Sequence, residues 1–84
     1  MDSKRLFVKK LLMTLPPLKT ERLLQILKIP RVHYRVLHGL YVEHEKQQTV
    51  ADKYYMSLET LKRRNAEGLD FIVKSLDEID PQLF

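Results

Sequence analysis

Apolar residues recur along this chain at the three- and four-residue spacing of amphipathic helices, and no stretch shows the sustained alternation of a β-strand. Prolines divide the pattern at positions 16, 17, 30 and 81. The spacing predicts helices over residues 3–14, from about 20 to 29, from 30 or 31 to 42, over 48–54, and from 57 to the last proline. The sequence therefore predicts an all-α, five-helix compact domain.

Two hydroxyl residues stand where a predicted helix begins. Thr20 is predicted to cap the second helix and Ser57 the fifth, because a hydroxyl at the N-cap accepts a hydrogen bond from a free amide of the first turn. Glu59 follows in the first turn of the fifth helix, where the helix dipole favours an anion. A break at Tyr55 and Met56 therefore separates a short fourth helix from a long fifth one.

Each helix is predicted to bury one apolar stripe. The expected core residues are Phe7, Val8, Leu11, Leu12, Leu15, Leu23, Leu24, Leu27, His33, Val36, Leu37, Leu40, Tyr41, Val50, Ala51, Tyr54, Leu61, Leu69, Ile72, Val73, Leu76 and Ile79. The part of this stripe from Leu69 to Ile79 has two possible partners. It is either the seam of a homodimer, from which a chain of this size would gain stability, or intrachain core covered by the first two helices.

Length and composition limit the class of protein. The 84 residues fit a single domain over 1–84, with an N-terminal helical hairpin over 1–29 and a second portion over 30–84. Apolar residues make up 44% and charged residues 31%, as in folded proteins. The lack of cysteine excludes disulfides and thiolate metal sites and fits a reducing cytoplasm. The apolar run at 11–13 is too short for a signal peptide or a membrane span, so we expect no export and no membrane insertion.

The net charge of +4 is unevenly distributed along the chain. Residues 1–40 hold nine basic and two acidic residues, a net +7, whereas residues 41–84 hold six basic and nine acidic residues, a net −3. A basic face attracts a phosphate backbone through counterion release, but it can equally be a solvated helix surface. Charge alone leaves both interpretations open.

The short fourth helix, the break and the polar start of the fifth helix have the arrangement that a helix-turn-helix requires. The major groove admits one α-helix, and the preceding helix braces it against the phosphates. If Leu61 points inward, the outward residues are Leu58, Glu59, Thr60, Lys62, Arg63, Ala66 and Glu67. Glu59 can then accept a hydrogen bond from a cytosine amine, and Arg63 can donate to guanine. The alternative is a solvated face on which nearby carboxylates pair with the basic residues.

The stretch from Tyr34 to Leu76 resembles region 4 of bacterial sigma factors and the related helix-turn-helix regulators. The shared pattern is a Val-Leu helix, a short polar loop, an Ile/Val-Ala pair, a Ser or Thr cap, and a basic start to the recognition helix. In this chain these positions are Val36-Leu37, residues 43–48, Val50-Ala51, Ser57 and Leu61-Lys62-Arg63-Arg64. The resemblance implies duplex DNA as the partner, with base contacts just after the cap and Arg64 nearer the backbone. The candidate DNA-binding residues are Ser57, Leu58, Glu59, Thr60, Lys62, Arg63 and Arg64.

Three positions depart from that family pattern. Tyr55 stands in the turn where the family usually has glycine or a small polar residue, and a bulky residue there is penalised if its φ is positive. Asn65 replaces an apolar residue, and Glu67 replaces a basic one. No region 2 precedes the motif, so we expect a small transcriptional regulator and not a sigma factor in its own right.

Other chemistry is not expected from this sequence. His33, His38 and His44 are spaced by five and six residues, so no two lie one turn apart on a helical face, and no metal or other cofactor is expected. No serine lies in a Gly-rich turn that could form an oxyanion hole, so we expect a non-enzyme. The alternative function is a protein–protein interaction adaptor or oligomerisation module, with a partner in the transcription machinery, which the acidic second half favours.

Overall fold

The computed structural model of the protein describes residues 3–84 and contains five α-helices and no strand within that range. The helices are α1 (Ser3–Thr14), α2 (Pro17–Ile26), α3 (Arg31–Leu37), α4 (Gln47–Lys53) and α5 (Leu58–Ile79). A π-helical turn over His38–Val42 continues α3, so the helical run ends where the periodicity predicted. The all-α prediction is confirmed for the described residues.

The start of α2 differs from the prediction. The helix begins at Pro17, directly after Pro16 at the N-cap. Proline is well suited to the first helical position, because the amide hydrogen that it lacks would have no partner within the helix there. Thr20 is therefore not an N-cap. It is buried inside the helix, and its hydroxyl donates to the carbonyl oxygen of Leu12 at 3.2 Å, which ties α2 to the end of α1.

The larger of two apolar clusters joins α1, α2 and α3 to the second half of α5. Its buried members are Val8, Leu12, Leu24, Ile29, Leu37, Tyr41, Leu69 and Ile72. α1 and α3 both pack against α5, and α2 packs chiefly against the π-helical turn. Arg5 on α1 adds a two-pronged contact to the Asp70 carboxylate on α5, at 2.9 and 2.8 Å.

The stripe on α5 is largely intrachain core. Leu69 and Ile72 have no exposed surface, and Val73 and Leu76 are partly buried against the same cluster. A homodimer would therefore need another surface. Two residues that were expected in the core are exposed: Phe7, at 45%, and Ile79, at 70% in the last turn of α5. The ring of Phe7 makes an edge contact with the ring of Phe84, whose centroid lies 5.5 Å away.

A second, smaller cluster holds α4 and the start of α5 against α3. Its buried members are Val36, Val50, Ala51 and Leu61, none of which has exposed surface. Gly39 lets α4 approach closely, because a Cβ at this position would lie 2.8 Å from Cγ2 of Val50. The start of α5 is thus seated on both α3 and α4. Within the described part of the chain, no helix is long and apolar enough to cross a membrane.

Candidate nucleic-acid interface

The connection between α4 and α5 is a tight turn closed by two backbone hydrogen bonds. The amide of Met56 donates to the carbonyl of Ala51 at 2.9 Å, and the amide of Tyr55 donates to that of Asp52 at 3.3 Å. This pairing is a Schellman motif, which requires a left-handed residue just after the helix. Tyr55 takes that place with φ of 54°, and its side chain is 97% exposed. Met56 packs on the smaller cluster and completes the motif.

Replacing Tyr55 with glycine is expected to stabilise the protein by about 0.5–1 kcal/mol. A left-handed non-glycine residue costs roughly 1–2 kcal/mol, and the greater flexibility of glycine in the unfolded chain offsets part of that gain. The gain should appear as a shift of the thermal midpoint by a few degrees. Tyr55→Ala is the control, because it removes the same exposed ring but keeps Cβ and should change stability little. Equal stability of the two variants would contradict strain at this turn.

Ser57 caps α5 as predicted. Its Oγ accepts a hydrogen bond from the amide of Thr60 at 3.1 Å and lies 2.9 Å from the hydroxyl oxygen of Thr60. Glu59 follows in the first turn, where its charge complements the helix dipole. The first turn of α5 is therefore fixed in direction both by its own cap and by the turn that precedes it.

The other candidate residues divide by exposure. Glu59, Lys62 and Arg63 are exposed on α5, and Thr60 and Arg64 are half-buried. Leu58 does not face wholly outward as predicted, because it packs in part against the smaller cluster that contains Leu61. The exposed polar surface at the start of α5 is therefore narrower than the sequence suggested.

Part of this surface is already paired within the helix. Nε of Arg63 lies 3.5 Å from Oε1 of Glu67, one turn later, with both side chains largely exposed. The other oxygen of Glu67 lies 3.7 Å from Nε2 of His33 on α3, which is a residue at the edge of the core. An exposed pair of this kind contributes at most about 1 kcal/mol, so Arg63 can exchange it for a stronger partner at little cost.

Asn65 has a structural role. Its side-chain oxygen accepts a hydrogen bond from the hydroxyl of Tyr41 at 2.8 Å. Burial raises the pKa of the Tyr41 phenol above its ordinary value, which keeps it a donor. Asn65 thus provides the hydrogen-bond acceptor for the buried Tyr41 hydroxyl, and it does so from the inner side of α5 and not from its outer face.

The loop before α4 is tied to the end of that helix by charge. Nζ of Lys53 lies 2.8 Å from a carboxylate oxygen of Glu45 and 3.7 Å from one of Glu43. The hydrogen bond to Glu45 raises the pKa of Lys53, so this lysine stays charged. His44 lies between the two glutamates with φ of 54°, as a loop residue.

Among residues 3–84 no three His, Cys, Asp or Glu side chains are grouped so as to hold a metal ion. The chain matches no protein-family model, no curated protein and no solved structure. A functional assignment therefore rests on the chemistry of its own residues.

Proposed function

We propose that this chain is a small DNA-binding protein, a transcriptional regulator in the cytoplasm, which inserts the start of α5 into the major groove of duplex DNA. The observation that carries the proposal is the capped first turn of α5, which follows directly on a tight turn from α4 and exposes Lys62 and Arg63. In this arrangement α4 and α5 form the helix-turn-helix, with α5 as the recognition helix.

The dimensions suit this role. The major groove is about 12 Å wide, and an α-helix with its side chains is about 10–12 Å across. Leu61 is fully buried and holds the inner side of α5, so the exposed side chains project from the outer side. Arg63 has the donor pair that matches the O6 and N7 atoms of guanine, and Glu59 can accept a hydrogen bond from the amine of cytosine.

The remaining candidate residues suit supporting contacts. The hydroxyls of Ser57 and Thr60 lie at the N-terminus of α5, where helix amides and the dipole favour phosphate. Arg64 is half-buried and can reach a phosphate beside the groove. The exposed part of Leu58 offers an apolar surface of the kind that contacts a thymine methyl group. One such helix covers few base pairs, so a single copy should have weak sequence preference.

A protein-interaction module is the second candidate, and one surface favours it. Phe7, Leu83 and Phe84 form an exposed apolar patch where the C-terminal residues meet α1. Contiguous apolar patches are characteristic of protein-binding surfaces. The same patch is the surface on which a homodimer or a contact with the transcription machinery would form if the α5 stripe stays buried.

The proposal predicts that Lys62→Ala/Arg63→Ala keeps the fold and loses DNA affinity. Both side chains are exposed and contribute nothing to the two clusters, so circular dichroism should be unchanged. Binding to a random-sequence duplex, measured by fluorescence anisotropy at low salt, should weaken by about 5- to 150-fold, because a bidentate base contact contributes about 1–3 kcal/mol.

A charge-matched control separates specific placement from general attraction. Lys10→Ala/Lys74→Ala removes two exposed lysines, from α1 and from α5 three turns beyond the recognition surface. We expect this control to retain most of the affinity. DNA binding by Lys62→Ala/Arg63→Ala at the parental strength would contradict the proposal. Loss of binding to a protein partner through Phe7→Ser, with no DNA binding by the parent, would support the interaction module instead.

A further inference from the structure

A cleft of about 250 Å³ lies between α3, its π-helical extension and the end of α4. It is lined by Arg31, Tyr34, Arg35, His38 and Tyr54, and we call it the α3–α4 cleft. The first four of these residues are separated by three, one and three positions along the sequence, so they lie on one face of the helix. Tyr54 comes from the end of α4 and contributes the remaining part of the lining.

An aromatic ring positions one of the two arginines of this cleft, and a second pair of rings stacks beside it. Cζ of Arg35 lies 5.6 Å from the ring centroid of Tyr54, within the range of a cation–π contact. The rings of Tyr34 and His38 stack with centroids 5.6 Å apart and planes 28° from parallel. A guanidinium held against a ring keeps its N–H groups available for an acceptor, and its planar fork matches the oxygens of a phosphate.

The two arginines carry charge that no described carboxylate neutralises. Among residues 3–84 no carboxylate lies within ion-pair distance of Arg31 or Arg35. Two carboxylates contact the ring of His38 and not the arginines: Oε2 of Glu21 lies 2.7 Å from Nε2, and Oε1 of Glu43 lies 3.0 Å from Nδ1. The α3–α4 cleft therefore favours an anion.

The tyrosines supply neutral donors, and the size of the cleft limits the ligand. Neither the Tyr34 nor the Tyr54 hydroxyl is hydrogen-bonded to another described residue, and neither oxygen is buried. Small-molecule sites usually have volumes of about 300–1,000 Å³. At about 250 Å³ the cleft suits a phosphate group better than a whole nucleotide.

We infer that the α3–α4 cleft binds a phosphate group through Arg31 and Arg35, with the two tyrosine hydroxyls as further donors. In its main form this inference rests on the proposed function, because the phosphate is then one of the DNA backbone beside the groove that α5 enters. The same chemistry recognises a phosphate on a small molecule. The experiment has one arm for each source.

The first arm measures binding of the whole chain to a random-sequence duplex over a range of salt concentrations. Each phosphate neutralised contributes about 0.9 to the slope of log K against log salt concentration. Arg31→Gln/Arg35→Gln should therefore lower that slope by about 0.9 and raise the dissociation constant about tenfold at low salt. Lys10→Gln/Lys74→Gln removes the same charge outside the cleft and should lower the slope less. Equal losses in the two variants would overturn the inference.

The second arm titrates the protein with inorganic phosphate and with adenosine monophosphate, and follows the ring protons of Tyr34 and Tyr54 by NMR. Saturable chemical-shift changes that disappear in Arg31→Gln/Arg35→Gln would support the phosphate site. They would do so even if the parent protein does not bind DNA. In that case only the proposed function would be contradicted. Tighter binding of the nucleotide than of phosphate would identify a small molecule as the source. No shift with either probe, together with an unchanged salt slope, would overturn the inference.

Discussion

Replacing Leu61 with alanine is expected to lower the free energy of unfolding by about 2–5 kcal/mol. Leu61 has no exposed surface and is the contribution of α5 to the smaller cluster, where it meets Val36 from α3 and Val50 from α4. Those β-branched neighbours are restricted in rotamer and cannot fill the cavity. For a domain of 84 residues the whole stability is about 4–13 kcal/mol, so the loss is a large fraction of it.

Urea titration followed by circular dichroism measures this loss. Leu18→Ala is the matched control, because Leu18 on α2 is 80% exposed and its truncation should change the stability by less than about 0.5 kcal/mol. If Leu61→Ala unfolds at the same urea concentration as the parent protein, the smaller cluster does not hold the start of α5. The placement of Lys62 and Arg63 would then lose its structural basis.

The two predicted caps show what local sequence can and cannot determine. Ser57 and Thr20 were both predicted to be N-caps because each is a hydroxyl residue at the start of a predicted helix. Only Ser57 accepts a hydrogen bond from a backbone amide of the first turn. At position 20 a second local rule, the preference of proline for the first helical position, moved the helix start back to Pro17. The hydroxyl of Thr20 then found a carbonyl on α1, a contact between two helices that no local pattern encodes.

Periodicity predicted which face of α5 is apolar but not what covers it. The choice between a dimer seam and intrachain core depended on how α1 packs, and the structure places α1 on Leu69 and Ile72. Leu58 became partly buried for a similar reason, since the close approach of Val50 to Gly39 determines where α4 sits. The π-helical turn was likewise not predicted, because over five residues the apolar spacing does not distinguish hydrogen bonds to the fifth preceding residue from those to the fourth.

The two proposed binding surfaces, the start of α5 and the α3–α4 cleft, were not equally accessible to sequence reasoning. The turn at Tyr55 and the cap at Ser57 are local features. The sequence indicated that a positive φ at Tyr55 would carry a cost, and the structure shows that φ is 54° there. DNA contact by α5 stays a prediction. The α3–α4 cleft was missed because Tyr54 was assigned to the core and the arginines to a general basic half. The signal available was the helical spacing of Arg31, Tyr34, Arg35 and His38.

Replacing Gly68 with valine is expected to lower the free energy of unfolding by about 3 kcal/mol, at the upper end of overpacking costs. Gly68 on α5 lies against His33 and Leu37 on α3. A Cβ there would lie 2.9 Å from Cδ1 of Leu37 and 3.2 Å from Cβ of His33. Leu37 is fully buried in the larger cluster, where close packing opposes its displacement, and the Cβ of His33 moves only with the backbone of α3. Thermal or urea unfolding measures the effect directly.

A double-mutant cycle with alanine identifies the cause of that loss. In the parent, Gly68→Ala gains about 1 kcal/mol of helix propensity, and the contact with Leu37 opposes it. In a Leu37→Ala background Cδ1 and Cγ of Leu37, at 2.9 and 3.2 Å, are gone and only Cβ of His33 remains close, at 3.2 Å. The same change should then stabilise by up to about 1 kcal/mol and also fill part of the cavity. The two effects should thus differ in sign or by more than 1 kcal/mol, since residues in contact are not additive. If Gly68→Ala changes the stability equally in both backgrounds, the Leu37 side chain does not oppose a Cβ at position 68. The packing of α3 on α5 would then not depend on the contact between Gly68 and Leu37.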